Sequence, residues 1–105
     1  MAIKEGEYQN RIIKKLEFRF PGCIILKTDS GYQQGIPDLI FLWREFWAVL
    51  EVKTSAAAAL QPNQNYYIER LDKMSFAAYI YPENEEEVFI ALQQAFEPPR
   101  RARVS

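Results

Sequence analysis

The residues best suited to chemistry form two short motifs, Pro37-Asp38 and Glu51-Val52-Lys53, which supply two carboxylates and a lysine. Carboxylate oxygens are good ligands for hard cations such as Mg²⁺ or Mn²⁺, and a cation held by them polarises a phosphoryl group. A neighbouring lysine orients water or neutralises charge that develops on phosphorus. If the fold brings Asp38, Glu51 and Lys53 together, the set suits metal-dependent hydrolysis of a phosphodiester.

Spacing alone leaves a structural role for the same residues equally open. An aspartate that follows a proline is common in turns. Glu51 and Lys53, two positions apart, could instead form a same-face charge pair on an edge strand. The choice between these interpretations depends on whether the surrounding elements bring the two motifs together.

The sequence contains no histidine, the side chain that most often acts as a general base near neutral pH. Its absence excludes Ser-His-Asp and Cys-His catalysis, zinc hydrolases built on histidine ligands, and nucleases that depend on a histidine base or nucleophile. Cys23 is the only cysteine, which excludes an internal disulfide and a cysteine-rich zinc site. Hydrolytic chemistry must therefore come from carboxylates, lysine and a hard metal ion.

Length and composition predict one globular domain. The chain has 105 residues, of which 49% are hydrophobic and 26% charged, enough for one modest core and too apolar for a largely disordered chain. We expect the domain to cover residues 1–97. Residues 98–105 contain two prolines and three arginines, and we expect a disordered basic tail that either contacts a phosphate backbone or stays solvated.

The net charge of −1 gives no overall basic character of the kind that marks many nucleic-acid-binding domains. A metal site built from carboxylates lowers the net charge without preventing phosphate binding when the metal is present. No apolar run approaches the roughly 18 residues of a membrane span, and the first residues lack the apolar stretch of a signal peptide. We therefore expect a cytoplasmic protein that does not contact membranes.

Apolar periodicity predicts the element order α-β-β-β-α-β-α. An apolar residue at every fourth position from Tyr8 to Phe20 indicates a first helix that Pro21-Gly22 ends. Residues 23–27 are typical of a short buried strand, and the polar residues 28–35 of a surface loop. Two strands are predicted next, at residues 36–43 and 46–52, followed by a connection at 55–60. A second helix is predicted from Pro62 to about Lys73, with Gln64, Ile68 and Leu71 on one face. A strand at 76–81 and a last helix, with Val88, Leu92 and Phe96 on its apolar face, complete the order.

The two central strands predict a hairpin that would assemble the site. Asp38 lies near the start of the first strand and Glu51 near the end of the second, so antiparallel pairing returns them to within a few ångströms of each other. Side-chain alternation places Glu51 and Lys53 on one face. Asp38 shares that face only if the turn has an even number of residues, such as Arg44-Glu45, or if a bulge corrects the register.

Taken together, these motifs resemble those of the VRR-NUC family in the PD-(D/E)XK nuclease superfamily, and the similarity covers residues 5–96. The family implies an α/β (α+β) fold with a restriction-endonuclease-like three-layer core, in which helices flank a mixed sheet. The resemblance rests on Gly35-Ile36-Pro37-Asp38-Leu39-Ile40, Glu51-Val52-Lys53 and Leu60-Gln61-Pro62-Asn63-Gln64, preceded by Glu7-Tyr8-Gln9 and residues 27–31.

The resemblance also implies the composition of a metal site. Asp38 and Glu51 would ligate Mg²⁺ or Mn²⁺, and the Val52 backbone carbonyl would be a further ligand. Lys53 would assist catalysis. No organic cofactor is expected beside the metal.

Two further side chains are implied on the helices. Gln64 corresponds to the family's helix glutamine, and its position on the apolar face of its helix fits a polar group directed toward the site. The family also has an acidic residue on the first helix, for which Glu7 is the best match. Helical periodicity places Glu7 away from the apolar stripe and Glu5 closer to it, so both residues remain candidates.

By resemblance, the function would be metal-dependent cleavage of DNA. Compact members of the family resemble Holliday junction resolvases in fold and assembly, so we expect a homodimer that acts on branched DNA. Two alternatives stay open. One is a non-catalytic DNA-binding or assembly module with the same fold, and the other is a nuclease for flap, single-stranded or RNA substrates.

Overall fold

The computed structural model of the chain describes residues 3–29, 34–58 and 63–97. Residues 60–62, where the sequence predicts the start of the second helix, and the tail at 98–105 lie outside these ranges. The described chain is an α+β protein, and the predicted element order is confirmed. None of its helices has the length and apolar character needed to span a membrane. The elements are α1 (Glu5–Arg19), β1 (Ile24–Lys27), β2 (Leu39–Trp43), β3 (Phe46–Val52), α2 (Gln64–Met74), β4 (Ala77–Ile80) and α3 (Glu85–Phe96).

Four strands form one mixed sheet in the order β1-β2-β3-β4. The first three are antiparallel neighbours, and β4 joins β3 in parallel, so the chain needs a crossover, which contains α2. The hairpin between β2 and β3 closes on Arg44 and Glu45, because Trp43 pairs directly with Phe46. Arg44 takes a positive φ of 58°, as the first position of a tight two-residue hairpin turn requires.

The main core lies between one face of the sheet and the helices α1 and α3. The apolar stripe of α1 is buried along its length, from Tyr8 at 2% exposed to Leu16 at 0%, which follows from its helical period. Alternate residues of β2 and β3 meet this stripe and the apolar face of α3. Phe41 of β2 stacks on Phe96 of α3 with ring centroids 5.8 Å apart. The aromatic side chains therefore fill one side of the sheet.

Polar contacts between α1 and α3 hold the first turns of α1 in place. The Tyr8 hydroxyl donates to Glu85 Oε2 at 2.6 Å, and Lys15 Nζ donates to Glu85 Oε1 at 2.6 Å. Burial and the contact with Glu85 raise the pKa of the Tyr8 hydroxyl, so it remains a neutral donor. These contacts tie α1, which carries Glu5 one turn before Tyr8, to the start of α3.

α2 covers the opposite face of the sheet, over β3 and β4, which makes the fold three-layered. Gln64 is the one fully buried residue of this helix. Polar contacts also hold its other end, where Asp72 Oδ1 accepts the Ala77 N–H at 3.0 Å and the Ser75 hydroxyl donates to the Trp47 carbonyl. Because α2 buries the polar side chain of Gln64 in its first turn, the packing of α2 on the sheet depends on a hydrogen-bond partner for Gln64.

β1 is an exposed edge strand, which corrects the expectation of a buried strand at residues 23–27. Ile24 and Leu26 are 57% and 47% exposed. They pair with Leu42 and Ile40 and project from the α2 side of the sheet, but α2 lies over β3 and β4. The apolar sequence of β1 is typical of a buried strand. β1 is exposed because α2, the helix on this side of the sheet, does not extend to the edge that β1 forms.

Replacing Phe41 with alanine tests the aromatic core. Phe41 is fully buried, with its ring centroid 5.1 Å from that of Phe20, so Phe41→Ala leaves a cavity and should lower the free energy of unfolding by about 3–5 kcal/mol. Phe18→Ala is the matched control, since Phe18 is 76% exposed, and its effect should stay within about 0.5 kcal/mol. Urea denaturation measures both, and equal losses would contradict this placement of the core.

Candidate metal centre

The two-residue turn sets the register that brings Asp38 and Glu51 together. Leu39 pairs with Leu50, so Asp38, one residue earlier, lies opposite Glu51, one residue later. An even turn was the condition for the two carboxylates to share a face of the sheet, and the structure meets it. Leu39 and Leu50 point into the core beneath α1, and the two carboxylates therefore project toward the α2 side.

Backbone N–H groups fix both carboxylates at the end of the hairpin. The Val52 N–H donates to Asp38 Oδ2 at 3.0 Å, and the Asp38 N–H donates to Glu51 Oε1 at 3.2 Å. If the β2–β3 register continued, Pro37 would lie opposite Val52. Proline has no N–H, so Pro37 cannot donate a hydrogen bond to the Val52 carbonyl. The regular β2–β3 pairing ends here, and the Asp38 side chain takes the place of a strand partner.

Glu5, in the first turn of α1, adds a third carboxylate to this pair. Glu5, Asp38 and Glu51 each offer one oxygen, and these three oxygens lie within 4.8 Å of one another. Glu7 is exposed and does not join the cluster within the described part of the chain. Glu5 is exposed as well, but of the two first-helix candidates it is Glu5 that the structure brings to the other carboxylates.

Lys53 and Gln64 both approach the same oxygen of Glu51. Lys53 Nζ lies 3.5 Å from Glu51 Oε2, and Gln64 Nε2 donates to that oxygen at 2.8 Å. All three side chains are buried, with exposed fractions of 3% for Glu51, 8% for Lys53 and 4% for Gln64. The end of β3 and the first turn of α2 therefore meet through polar side chains around one carboxylate.

Burial and crowding favour the protonated forms of the two hairpin carboxyls. Burial, followed by the neighbouring Asp38 carboxylate, raises the pKa of Glu51 from 4.5 to about 7, while Lys53 acts in the opposite direction. Burial also raises the pKa of Asp38, although the Val52 N–H and Lys53 oppose the shift. The site thus holds negative charge at a cost in desolvation and mutual repulsion, both of which a bound cation would offset.

The carboxylates line a cavity of about 440 Å³. Several residues beside it have no distinguishing signal in the sequence, because they lie in polar or small-residue connections that only the tertiary fold brings here. Tyr79 of β4 was also not anticipated; it pairs with Glu51 across the parallel strands, and burial together with the charge of Glu51 raises its pKa. These additional lining residues are Gln34, Thr54 and Ala58.

The donor set fits a hard divalent cation. Three carboxylate oxygens from Glu5, Asp38 and Glu51 converge from separate elements, and oxygen ligands of this kind suit Mg²⁺ or Mn²⁺. Three protein ligands also leave coordination positions for water and for a substrate oxygen. The adjoining cavity gives such a substrate access to the carboxylates.

A solved structure resembles this chain over nearly its whole length. That structure, described as a VRR_NUC domain protein, superposes with a TM-score of 0.64 at 18% sequence identity and covers 92% of this chain and 91% of that chain. The chain therefore has the fold of a VRR_NUC domain, as the resemblance of its motifs implied. No family model matches the sequence, and no curated protein matches it either. At this level of identity the likeness establishes the fold.

The protonation of Glu51 predicts how stability varies with pH in chelator. The folded protein holds this proton up to about pH 7, whereas an unfolded carboxyl releases it near pH 4.5. The folded state therefore binds more protons between these values, and the free energy of unfolding should fall as pH rises through this window, by at most about 3 kcal/mol.

Glu51→Gln is the reference variant for this pH dependence, since its amide does not titrate. Urea denaturation from pH 4 to pH 8 should show the wild type losing stability relative to Glu51→Gln as pH rises. Added Mn²⁺ should restore the wild type at pH 7.5 and leave the variant little changed. Parallel pH profiles for the two proteins would contradict the environment assigned to Glu51.

Proposed function

We propose that this chain is a metal-dependent nuclease of the VRR-NUC family that hydrolyses phosphodiester bonds in DNA. The observation that carries the proposal is the convergence of Glu5, Asp38 and Glu51 beside the buried Lys53. Acidic groups on a surface are common, but two of these carboxylates are also substantially desolvated, with raised pKa values. Such an arrangement is costly for a purely structural site and is typical of functional ones.

Asp38 and Glu51 are the proposed core ligands of Mg²⁺ or Mn²⁺, with Glu5 as the third carboxylate. The Val52 carbonyl is a proposed further ligand, since Pro37 offers it no N–H. A divalent cation held by these groups polarises a phosphodiester and lowers the pKa of water. The absence of histidine from the sequence argues against a zinc centre at this position.

Lys53 and Gln64 have separate proposed roles at Glu51. The proposed role of the Lys53 ammonium group is to hold a phosphate oxygen or to orient the attacking water, and in either case to stabilise charge that develops on phosphorus. Gln64 is a positioning residue. Its bond to Glu51 Oε2, together with the Asp38 N–H on Oε1, fixes the carboxylate in one orientation, so less reorganisation is needed when a ligand binds.

For assembly and substrate, we propose a cytoplasmic homodimer that acts on branched DNA such as a Holliday junction. It is supported by the resemblance of compact VRR-NUC proteins to Holliday junction resolvases. A two-fold dimer also matches a two-fold junction. Apolar side chains that remain exposed, such as Phe18, Ile24 and Leu26, offer surface for a second copy to cover.

Asp38→Asn tests the nuclease directly. The amide keeps an oxygen that can accept the Val52 N–H but removes the charge, so cleavage should fall by at least about a hundredfold with little change in stability. Asp72→Asn is the matched control, because Asp72 also accepts a backbone N–H, that of Ala77, at the far end of α2. Lys53→Met, which keeps an unbranched side chain but removes the ammonium group, should lose cleavage as well.

The assay uses labelled four-way junction, flap, single-stranded and linear duplex DNA in Mg²⁺, Mn²⁺ or chelator. Metal-dependent cutting by the wild type and by Asp72→Asn, but not by Asp38→Asn, would support the nuclease. Symmetric nicks confined to the junction would support the dimeric resolvase. DNA binding without cutting in every metal would leave a non-catalytic binding module in its place.

Paired variants decide which glutamate of α1 serves the site. Glu5 lies within reach of the other two carboxylates and Glu7 does not, so Glu5→Gln should weaken Mn²⁺ binding about tenfold or more and reduce cleavage. Glu7→Gln makes the same change of charge two residues away and should leave both quantities within about twofold of the wild type. Isothermal titration with Mn²⁺ reads out binding without catalysis. If Glu7→Gln weakened Mn²⁺ binding and Glu5→Gln did not, Glu7 would be the metal-binding carboxylate of α1.

A further inference from the structure

The outer face of α2 carries an aromatic side chain and two cations in helical register. Tyr66, Arg70 and Lys73 stand at i, i+4 and i+7 of the helix, so they form one stripe, here called the α2 stripe. All three are exposed, and Tyr66 is 54% exposed. The Arg70 guanidinium lies 5.6 Å from the centroid of the Tyr66 ring, within the range of a cation–π contact.

The two cations of the stripe have acidic neighbours on α2, Glu69 and Asp72. Asp72 Oδ1 accepts the Ala77 N–H. Arg70 and Lys73 form no ion pair among the described residues. The cations that do form ion pairs there are Lys15, Arg19, Arg44 and Lys53. Exposed cations that no described residue pairs are available to an anionic partner.

The helix that carries the α2 stripe starts at the candidate metal centre. Gln64, the first residue of α2, donates to Glu51, and Lys73 lies about 13 Å further along the helix axis. This length corresponds to about four base-pair steps of duplex DNA. Asp38 and Glu51 project from the same side of the sheet that α2 covers, so a strand that reaches them can continue along the outer face of the helix.

We propose that the α2 stripe, formed by Tyr66, Arg70 and Lys73, binds the phosphate backbone of the DNA strand that flanks the cut site. Arg70 and Lys73 contact phosphates, and the Tyr66 ring supports the Arg70 guanidinium. Contacts to phosphate position the duplex without reading its sequence. The inference rests on the proposed nuclease function and identifies the surface that holds its substrate.

The experiment compares an Arg70→Ala/Lys73→Ala variant with an Arg11→Ala/Lys14→Ala control. Both variants remove one arginine and one lysine from an exposed helix face. The control pair lies on α1, across the sheet from α2, and forms no ion pair among the described residues. Thermal melts establish that both variants fold, as expected for exposed positions. Fluorescence anisotropy then measures binding to labelled duplex DNA from low to moderate salt, with Ca²⁺ in place of Mg²⁺.

Loss of two phosphate contacts should raise the Kd of the α2 variant at least about fivefold at low salt. It should also reduce the slope of log K against log salt by about 2. In Mg²⁺, its cleavage should show a higher KM with kcat little changed, while the α1 control should match the wild type throughout. These results would support the proposal.

Two outcomes would overturn it, and they differ from failure of the nuclease proposal. If the wild type cuts DNA and the α2 variant keeps the wild-type Kd and salt slope, the stripe is not the binding surface although the nuclease stands. If the α1 control loses as much affinity as the α2 variant, the effect is one of net charge. A wild type that neither binds nor cuts DNA would remove both proposals.

Discussion

The register of the β2–β3 hairpin is the constraint on which the rest of the site depends. A turn of two residues, Arg44 and Glu45, places Asp38 opposite Glu51, and a shift of one residue would turn one of them into the aromatic core. Glu5 and Gln64 reach the carboxylates only because this pair already lies at the end of the hairpin. The turn, at the other end of the strands, is thus as important to the site as the carboxylates themselves.

The two faces of the sheet have different roles, one packing the core and the other carrying the candidate site. On one face, α1 and α3 bury an aromatic core, and the two buried charged residues of the described chain, Glu51 and Lys53, lie outside it. On the other, the one fully buried residue of α2 is Gln64, bonded to a carboxylate whose pKa is raised to about 7. The apolar face supplies the burial that keeps the fold together, which allows the other face to hold two desolvated carboxylates at some cost.

Local sequence patterns predict the periodic parts of the fold, but they do not predict features that depend on how the elements pack against one another. The period of four from Tyr8 to Phe20 predicts α1. The hairpin pattern gives an even turn as one condition under which Asp38 shares the face of Glu51, and the structure meets that condition. The choice between Glu5 and Glu7 depends on where α1 begins relative to the end of the hairpin, which no local pattern encodes. The exposure of Ile24 is not predictable from local sequence either, because it depends on how far α2 extends across the sheet.

The central claim is that Asp38, Glu51 and Glu5 together hold a divalent cation, and anomalous scattering tests it most directly. Crystals grown with Mn²⁺ and measured near the manganese absorption edge should show one strong anomalous peak about 2.1 Å from oxygens of Asp38 and Glu51, with Glu5 and the Val52 carbonyl adjacent. A peak elsewhere on the protein, or no peak among these carboxylates at saturating Mn²⁺, would contradict the account.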